Sequence, residues 1–337
     1  MPLNIIRNDI VKVECDAIVN AANSRLEQGG GVCGAIFEAA GREKLEKACK
    51  KLGFCGIGQA VITDGYDLTA KYIIHTVGPV YGNDPENEAK QLYSCYESSL
   101  LLAKKKGLSS IAFPLISSGI FGYPKYEALK IATSAIKDFL SENDMQVYIV
   151  VYDKDSYDIG KAMFSSVKSY IDERLVRIDE RRVLKPKLMI NTDSCPIDEG
   201  AVSYSLAPSS AMGAKKRSLS ELIERKTETF SEMLLRLIDE KGMTDVEVYK
   251  RANIDRKLFS KIRKKDYTPK KITAIALAIA LRLNMDEAKD LLSRAGFAFS
   301  QCSRFDIIIE YFIENGNYDI YEINETLFAF DEQLLGA

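Results

Sequence analysis

Two glycine-rich segments, each placed after a short apolar run, constrain the fold of this chain more than any other feature. The first is Gly-Gly-Gly-Val at 29–32, which opens a helix-like stretch over 32–40. The second spans 117–122, between the apolar run 111–116 and a helix-like stretch over 124–140. Glycines at a strand-to-helix junction allow backbone N–H groups to converge on an anion at a helix N-terminus. The pattern therefore predicts two loops that hold two phosphates.

Five motifs follow one another in register along the first half of the chain. They are Asn-Ala-Ala-Asn at 20–23, Gly-Gly-Gly-Val at 29–32, Ala-Ala-Gly at 39–41, Tyr-Ile-Ile-His-Thr-Val-Gly-Pro at 72–79 and Ser-Gly-Ile-Phe-Gly at 118–122. One glycine run is weak evidence, but five elements in order are strong. Residues 1–175 thus resemble the macrodomain family. The resemblance implies an α/β fold, a three-layer α/β/α macrodomain with a mixed central sheet, that binds ADP-ribose or an ADP-ribosylated protein or nucleic acid.

The resemblance also implies roles for single residues. Asp9 would accept a hydrogen bond from the adenine amino group, and the backbone at Ile10 would contact the ring. Asn23 would bond the distal ribose, Phe121 would pack against it, and Tyr152 would offer an aromatic face near the adenine. The full predicted ligand-binding set is Asp9, Ile10, Ala21, Asn23, Gly29, Gly30, Gly31, Val32, Ser117, Ser118, Gly119, Ile120, Phe121, Gly122 and Tyr152, with Asn23 and Gly30 as the predicted catalytic residues.

Several of these residues have a simpler interpretation. Asp9 is a residue type that often only caps a helix or forms a turn. Phe121 fits an ordinary core aromatic, and Tyr152 fits either role. His75, the only histidine, lies among apolar residues and is predicted to be a hydrogen-bonded structural side chain.

Catalysis is an open question at the sequence level. One macrodomain subgroup has Gly-Val-Asp-Gly-x-Ile-His after the glycines, whereas this chain has Cys33 at the Asp position and Phe37 at the His position. A thiol is a weak hydrogen-bond acceptor and a poor substitute for a carboxylate that orients water. Other macrodomains with a small residue there still cleave an ADP-ribosyl ester by positioning water. We therefore expect slow mono-ADP-ribosyl hydrolysis or none.

Composition limits the class of protein. With 337 residues, 46% hydrophobic content and a formal net charge of −2, the chain predicts two globular domains. No apolar run reaches the ~18 residues of a membrane span, and the start lacks a signal-peptide pattern. Seven unpaired cysteines fit a reducing cytoplasm, and we expect a bacterial source. One histidine and scattered cysteines predict no metal site, and no cofactor is expected.

The second half of the chain has a different pattern. Residues 176–226 are rich in turn formers and predict a linker, and residues 227–337 predict an all-helical domain with a C-terminal helical extension. From Phe230 a helical period returns, and helices are predicted after Thr244 and Asp255. Five short helices over 228–297 are similar to the helix-turn-helix domain of phage-repressor-like proteins.

In that family the third helix enters the DNA major groove. Residues 251–271 hold nine basic and two acidic side chains, whereas the tail from Asp306 has no Lys or Arg. Such a split is typical of an electrostatic footprint for nucleic acid. The usual Gly-apolar-Ser turn is replaced by Asn253-Ile254-Asp255, so DNA binding, protein docking and homodimer formation stay open. The predicted DNA-contacting residues are Arg256, Lys257, Ser260, Lys261 and Lys264.

Overall fold

A computed structural model describes residues 2–152, 167–172, 174, 228–264 and 267–336. Its first half contains one sheet of six short strands: β1 (Leu3–Arg7), β2 (Ala17–Ala21), β3 (Ala60–Asp64), β4 (Tyr72–Thr76), β5 (Ser110–Pro114) and β6 (Gln146–Val151). Their order is β1-β6-β5-β2-β4-β3. All neighbours pair in parallel except β3, which is antiparallel to β4 at one edge.

Helices cover both faces of this sheet. On one face α1 (Gly31–Ala40) and α2 (Arg42–Leu52) share an apolar cluster with the strands, and Phe37 is fully buried there. On the other face α3 (Glu88–Lys105) and α4 (Lys125–Glu142) form a second cluster. Continuous apolar strands are what a sheet buried on both faces requires. The predicted three-layer α/β/α fold with a mixed sheet is confirmed.

The central position of β2 determines where a ligand can sit. Ala17 lies opposite Tyr72 of β4 on one side and Ile111 of β5 on the other. Since all three strands are parallel, their carboxyl ends lie at the same edge of the sheet. Ligands of open α/β sheets bind at that edge, and both predicted glycine-rich loops leave the sheet there.

The described residues after 227 contain seven helices around a separate apolar core. The helix Lys271–Ala280 is buried on all sides from Ala274 to Ala280, which makes it the centre of the bundle. The five helices expected before residue 297 are all present, so an all-α unit is confirmed. The helices are α5 (Phe230–Glu240), α6 (Asp245–Arg251), α7 (Arg256–Ile262), α8 (Lys271–Ala280), α9 (Met285–Arg294), α10 (Arg304–Glu314) and α11 (Ile320–Ala329).

Side-chain caps explain where these helices begin. The Thr244 side chain accepts a hydrogen bond from Glu247 N, and the Glu247 carboxylate accepts one from Thr244 N. This reciprocal pair is a capping box. Asp255 caps α7 by accepting from Leu258 N at 2.7 Å. Both caps were predicted from the sequence, and each satisfies backbone donors that a helix start otherwise leaves unpaired.

The domain limits stay predictions, and one observation argues against the limit at residue 175. The helical residues 167–172 place Val167 and Ile171 in the core of the helical unit rather than in the sheet core. Arg174 is bonded to Glu314 of α10 at 2.8 Å. The segment before residue 175 therefore packs with the second unit. The predicted linker, 176–226, lies outside the described residues.

One buried side chain of the helical unit bonds directly to the main chain of the edge strand β1. Leu3 N donates to Asn253 Oδ1 at 2.8 Å, and Asn253 Nδ2 donates to Leu3 O at 2.9 Å. The amide thus replaces the neighbouring strand that an edge lacks. Asn253 is only 2% exposed and has a φ of 52°, a left-handed conformation that asparagine tolerates well. It lies in the turn between α6 and α7.

Further polar contacts extend this interface. Arg7 forms an ion pair with Asp331 at 3.4 Å, and Lys250 donates to the Ser141 carbonyl at 2.9 Å. Glu325 of α11 is buried against α4, where its carboxyl contacts the Thr133 hydroxyl. The two units are therefore packed together along both β1 and α4.

The buried carboxyl of Glu325 makes this interface sensitive to pH. Burial raises its pKa from 4.5 to about 7, the Thr133 hydroxyl acts in the opposite direction, and the carboxylates of Glu322 and Asp319 add to the increase. The folded state therefore binds the proton more tightly than the unfolded state. The stabilisation is fully present below pH 4.5 and is lost as the pH rises through 7.

Glu325→Gln removes this titration and keeps a neutral side chain of the same shape. We expect the variant to exceed the wild type in unfolding free energy by on the order of 2 kcal/mol at pH 8, and to match it at pH 4. Urea unfolding at both pH values measures the difference. Glu97→Gln, at an exposed position, is the matched control and should change neither value. A Glu325→Gln variant that is less stable at pH 8 would contradict the assignment.

Candidate functional site

A cleft with two compartments lies at the carboxyl edge of the sheet. The larger cavity has a volume of about 510 Å³ and the smaller about 190 Å³. Gly31, Val32, Leu115 and Gly119 line both, so the compartments are continuous across the two glycine-rich loops. An elongated ligand with a narrow middle fits this shape.

The loop after β2 is organised by the side chain of Asn23. Its Oδ1 accepts from Arg25 N and Glu27 N, both at 3.1 Å, and its Nδ2 donates to Glu27 O at 2.8 Å. Asn23 also lines the smaller compartment. The Asn23 amide therefore shapes the loop. It also borders the compartment that would hold the distal ribose if the family resemblance applies.

The glycine run leads directly into α1. Gly30 is the N-cap residue and has no side chain to satisfy the first backbone donors, and Gly31 adopts a left-handed φ of 59°. Exposed N–H groups at a helix start attract an anion, and the helix dipole adds to this attraction. The prediction of a phosphate-binding loop has its geometric basis here.

Cys33 ties this glycine run to the sheet. Its Sγ accepts from Gly29 N at 3.4 Å and from Asn20 Nδ2 at 3.6 Å. It also lines the smaller compartment and is almost fully buried. The thiol thus stands between two N–H donors, in the position where a macrodomain subgroup has a carboxylate.

A buried polar chain continues from Cys33 into the sheet. Asn20 Nδ2 lies 3.1 Å from His75 Nδ1, and His75 Nε2 lies 3.0 Å from Thr63 Oγ1. Burial lowers the pKa of His75 to about 4, so the ring is neutral at physiological pH. The prediction that His75 is a hydrogen-bonded structural residue is confirmed.

The second loop closes the cleft from the opposite side. Ser117 has a left-handed φ of 63°, is 5% exposed and lines the smaller compartment, while its Oγ is buried and has no protein partner in the described residues. Ser118 Oγ donates to Leu115 O at 2.7 Å. Ile120, 82% exposed, comes so close to Gly30 that a Cβ there would lie 3.3 Å from its Cδ1. The two loops nearly touch over the cleft.

Asp9, Ile10 and Tyr152 lie together in the larger compartment. Asp9 caps a short helical turn, Ile10–Lys12, through a 3.3 Å bond from Val11 N. This bond supports the simpler interpretation, but it leaves further acceptor positions on the carboxylate. Tyr152 is 83% exposed, so its ring is accessible to a ligand.

Nearly all of the residues predicted from the sequence line the cleft, whatever their individual roles. Gly122 does not line it: it has a φ of 70° and closes the loop through a bond from its N–H to Gly119 O. The cleft is also lined by three residues that were not predicted to belong to it: Cys33, Gly78 and Lys125. Gly78 stood in a recognised motif, and an added Cβ there would overlap the Ser117 hydroxyl. Its place in that motif was the sequence signal available for Gly78, and the close approach to Ser117 is the structural reason for a glycine there.

Two further properties concern cofactors and membranes. In the described part of the chain, no three His, Cys, Asp or Glu side chains are grouped so that they could hold a metal ion. No described helix combines the length and apolar character needed to cross a bilayer.

The fold and cleft define a class: α/β/α proteins with a glycine-lined cleft at the carboxyl edge of a mostly parallel sheet. A family model described as Macro domain matches residues 19–132. A macro domain-containing protein of Methanosarcina mazei is 50% identical over 167 residues, covering 49% of this chain and 89% of that protein. The chain belongs to the macro domain family.

Two other similar proteins extend this comparison. An O-acetyl-ADP-ribose deacetylase of Cronobacter turicensis is 45% identical over 161 residues, which cover 46% of this chain and 91% of that protein. A solved structure, the Oceanobacillus iheyensis macrodomain with ADP, is 42% identical, has a TM-score of 0.46 and covers 50% of this chain and 92% of its own. These matches each span about half of the present chain.

Proposed function

We propose that the cleft binds ADP-ribose or an ADP-ribosylated molecule. The observation that carries the proposal is the continuity of two compartments across the glycine-rich loops, with Asp9 in one and Asn23 in the other. A base fits the larger compartment, a ribose fits the smaller, and a diphosphate fits the exposed N–H groups between them. The similarity to an O-acetyl-ADP-ribose deacetylase supports this ligand class.

We further propose that the reaction, where one occurs, is hydrolysis of an ADP-ribosyl ester. Asn23 and Gly30, the catalytic residues predicted from the family resemblance, both border the smaller compartment, where the distal ribose would lie. The Cys33 thiol cannot orient water as a carboxylate does. Positioning of water by the loops alone would give slow turnover.

Asp9→Ser separates the two interpretations of Asp9. Serine still caps a helical turn, so stability should be retained, but the carboxylate acceptor for the adenine amino group is lost. We expect ADP-ribose affinity to fall by about tenfold or more in calorimetric titration. Asp239→Ala, an exposed site in the helical unit, is the control. If Asp9→Ser binds ADP-ribose as tightly as the wild type, Asp9 only caps the helical turn.

Cys33→Asp places a carboxylate between the Gly29 and Asn20 donors. Both N–H groups would pair with the buried charge, and the free oxygen would face the smaller compartment. We expect release of ADP-ribose from O-acetyl-ADP-ribose to rise by about tenfold or more, since a positioned base typically contributes at least that. Cys33→Asn, equal in size and uncharged, is the control. Equal rates of ADP-ribose release by Cys33→Asp and Cys33→Asn would show that the missing carboxylate does not limit turnover.

A second candidate function, DNA binding by the helical unit, is favoured by one observation. Arg256, Lys257, Ser260, Lys261 and Lys264 are all exposed on or just after α7. Within the described residues the four basic side chains have no ion-pair partner, so their charge is available. In this second hypothesis ADP-ribose binding alters DNA or protein binding by the helical unit, and a homodimer would present two such helices.

Replacing Lys257 and Lys261 together by Ala tests this candidate. We expect weaker binding to duplex DNA and a salt slope reduced by about 2, because two phosphate contacts are lost. Lys289→Ala is the control, and fluorescence anisotropy is the measurement. If the macrodomain is a sensor, ADP-ribose and DNA must change each other's affinity by the same factor. Wild-type protein that fails to bind DNA at low salt excludes the candidate.

A further inference from the structure

A second concave surface, the lysine groove, lies at the β3 edge of the sheet. It has a volume of about 510 Å³ and shares no lining residue with the cleft. Lys44, Lys47 and Lys51 line one wall from α2, where spacings of three and four residues place them on one helix face. Lys106, just after α3, lines the groove as well. Lysines from two helices on opposite faces of the sheet thus converge on the β3 edge.

These lysines are only partly neutralised. Lys44 is paired with Asp67 at 2.5 Å, and Lys106 lies 5.8 Å from the centre of the Tyr72 ring. Lys47 and Lys51 have no ion-pair partner within the part of the chain that the structure describes. Asp64 is the single acidic residue in the groove lining. The groove therefore has a net positive charge.

The groove is also bordered by main-chain groups of β3 that pair with no second strand among the described residues. In an antiparallel pair, residues alternate between facing the partner strand and facing away from it. Gly65 N donates to Lys71 O at 2.8 Å, so Gly65 and Thr63 face β4. Ile62 and Asp64 then present their N–H and C=O groups to the open edge, and both residues line the groove.

We propose that the lysine groove binds an extended acidic peptide, which adds to β3 as a further strand. The outward main-chain groups of Ile62 and Asp64 are spaced to pair with a strand, and the lysines complement carboxylates on it. A nucleic acid would satisfy the lysines but would leave the strand edge unpaired. The proposal does not depend on ADP-ribose binding, because the two surfaces are separate. The competing role of the lysines is to keep the edge from pairing with other strands.

Fluorescence anisotropy with a labelled peptide of about ten residues, alternating Glu and Val, tests the charge component. The double variant Lys47→Glu, Lys51→Glu should bind about tenfold more weakly or worse, and the loss should shrink at high salt. Lys90→Glu with Lys289→Glu carries the same change in net charge on other surfaces and should bind like the wild type. ADP-ribose affinity should be unchanged in both variants.

A pair of substitutions at Asp64 tests strand addition. Asp64→Asn removes a repulsive charge and should bind the peptide at least as tightly as the wild type. Asp64→Pro removes the same charge but also the outward N–H, which an edge strand tolerates. We expect Asp64→Pro to bind about tenfold more weakly than Asp64→Asn. Circular dichroism establishes whether each variant is folded. If Asp64→Pro is not folded, the lysine double variant and its control test the proposal.

Three results would overturn the proposal. The first is unchanged peptide binding in the lysine double variant, and the second is equal affinity of folded Asp64→Pro and Asp64→Asn. The third is binding of a single-stranded oligonucleotide without binding of the peptide. The second result would mean that the peptide binds through charge without adding a strand to β3, and the third would assign the groove to nucleic acid.

Discussion

Parallel pairing of β2 with β4 and β5 is the constraint on which the rest of the structure depends. It brings two loops that are far apart in sequence to one edge of the sheet, where Asn23 and Ser117 line a single compartment. The loops then have to pass close to each other. Gly30 meets this requirement because a larger residue would press on Ile120. Glycine is therefore needed here for close approach, whereas at Gly31 it is needed for a left-handed backbone.

The layer beneath the cleft is polar, and its side chains are linked to one another, although Asn20 Oδ1 has no partner in the described residues. Cys33, Asn20, His75 and Thr63 form a chain of contacts from the glycine run to the strand β3. Since His75 has a pKa of about 4, the chain keeps one protonation state across the physiological range. Such a network holds the loop in place without adding charge under the ligand. Pre-organisation of the loops, rather than a general base, is what this architecture offers to a bound ligand.

Sequence features that act within a few residues were sufficient to predict the fold and most of the residues that line the cleft. Apolar runs ending in glycines predicted the strands and both loops, and Thr244 and Asp255 predicted helix starts, because these features act within a few residues. Asn253 could not be interpreted in the same way. In the sequence it is only a departure from the glycine of a helix-turn-helix, while its role is to bond to Leu3, near the other end of the chain.

The lysine groove was missed for a similar reason. Lys44, Lys47 and Lys51 have the pattern of a solvated helix face, and nothing local relates them to Lys106 or to a strand edge. Only the order of strands in the sheet brings them together. Contacts of this kind depend on the order of the strands in the sheet, so motifs along the chain do not predict them.

The two edges of the sheet are treated in different ways, and the difference has consequences for both units. At β1 the Asn253 amide supplies a donor and an acceptor, so that edge is closed by the helical unit. The same contact fixes the turn between α6 and α7 against the sheet, which directs the basic side chains of α7 outward. At β3 no side-chain amide of the described residues takes this role, and the edge is bordered by lysines instead. Closing one edge leaves the other as the place where a further strand can be added to this sheet.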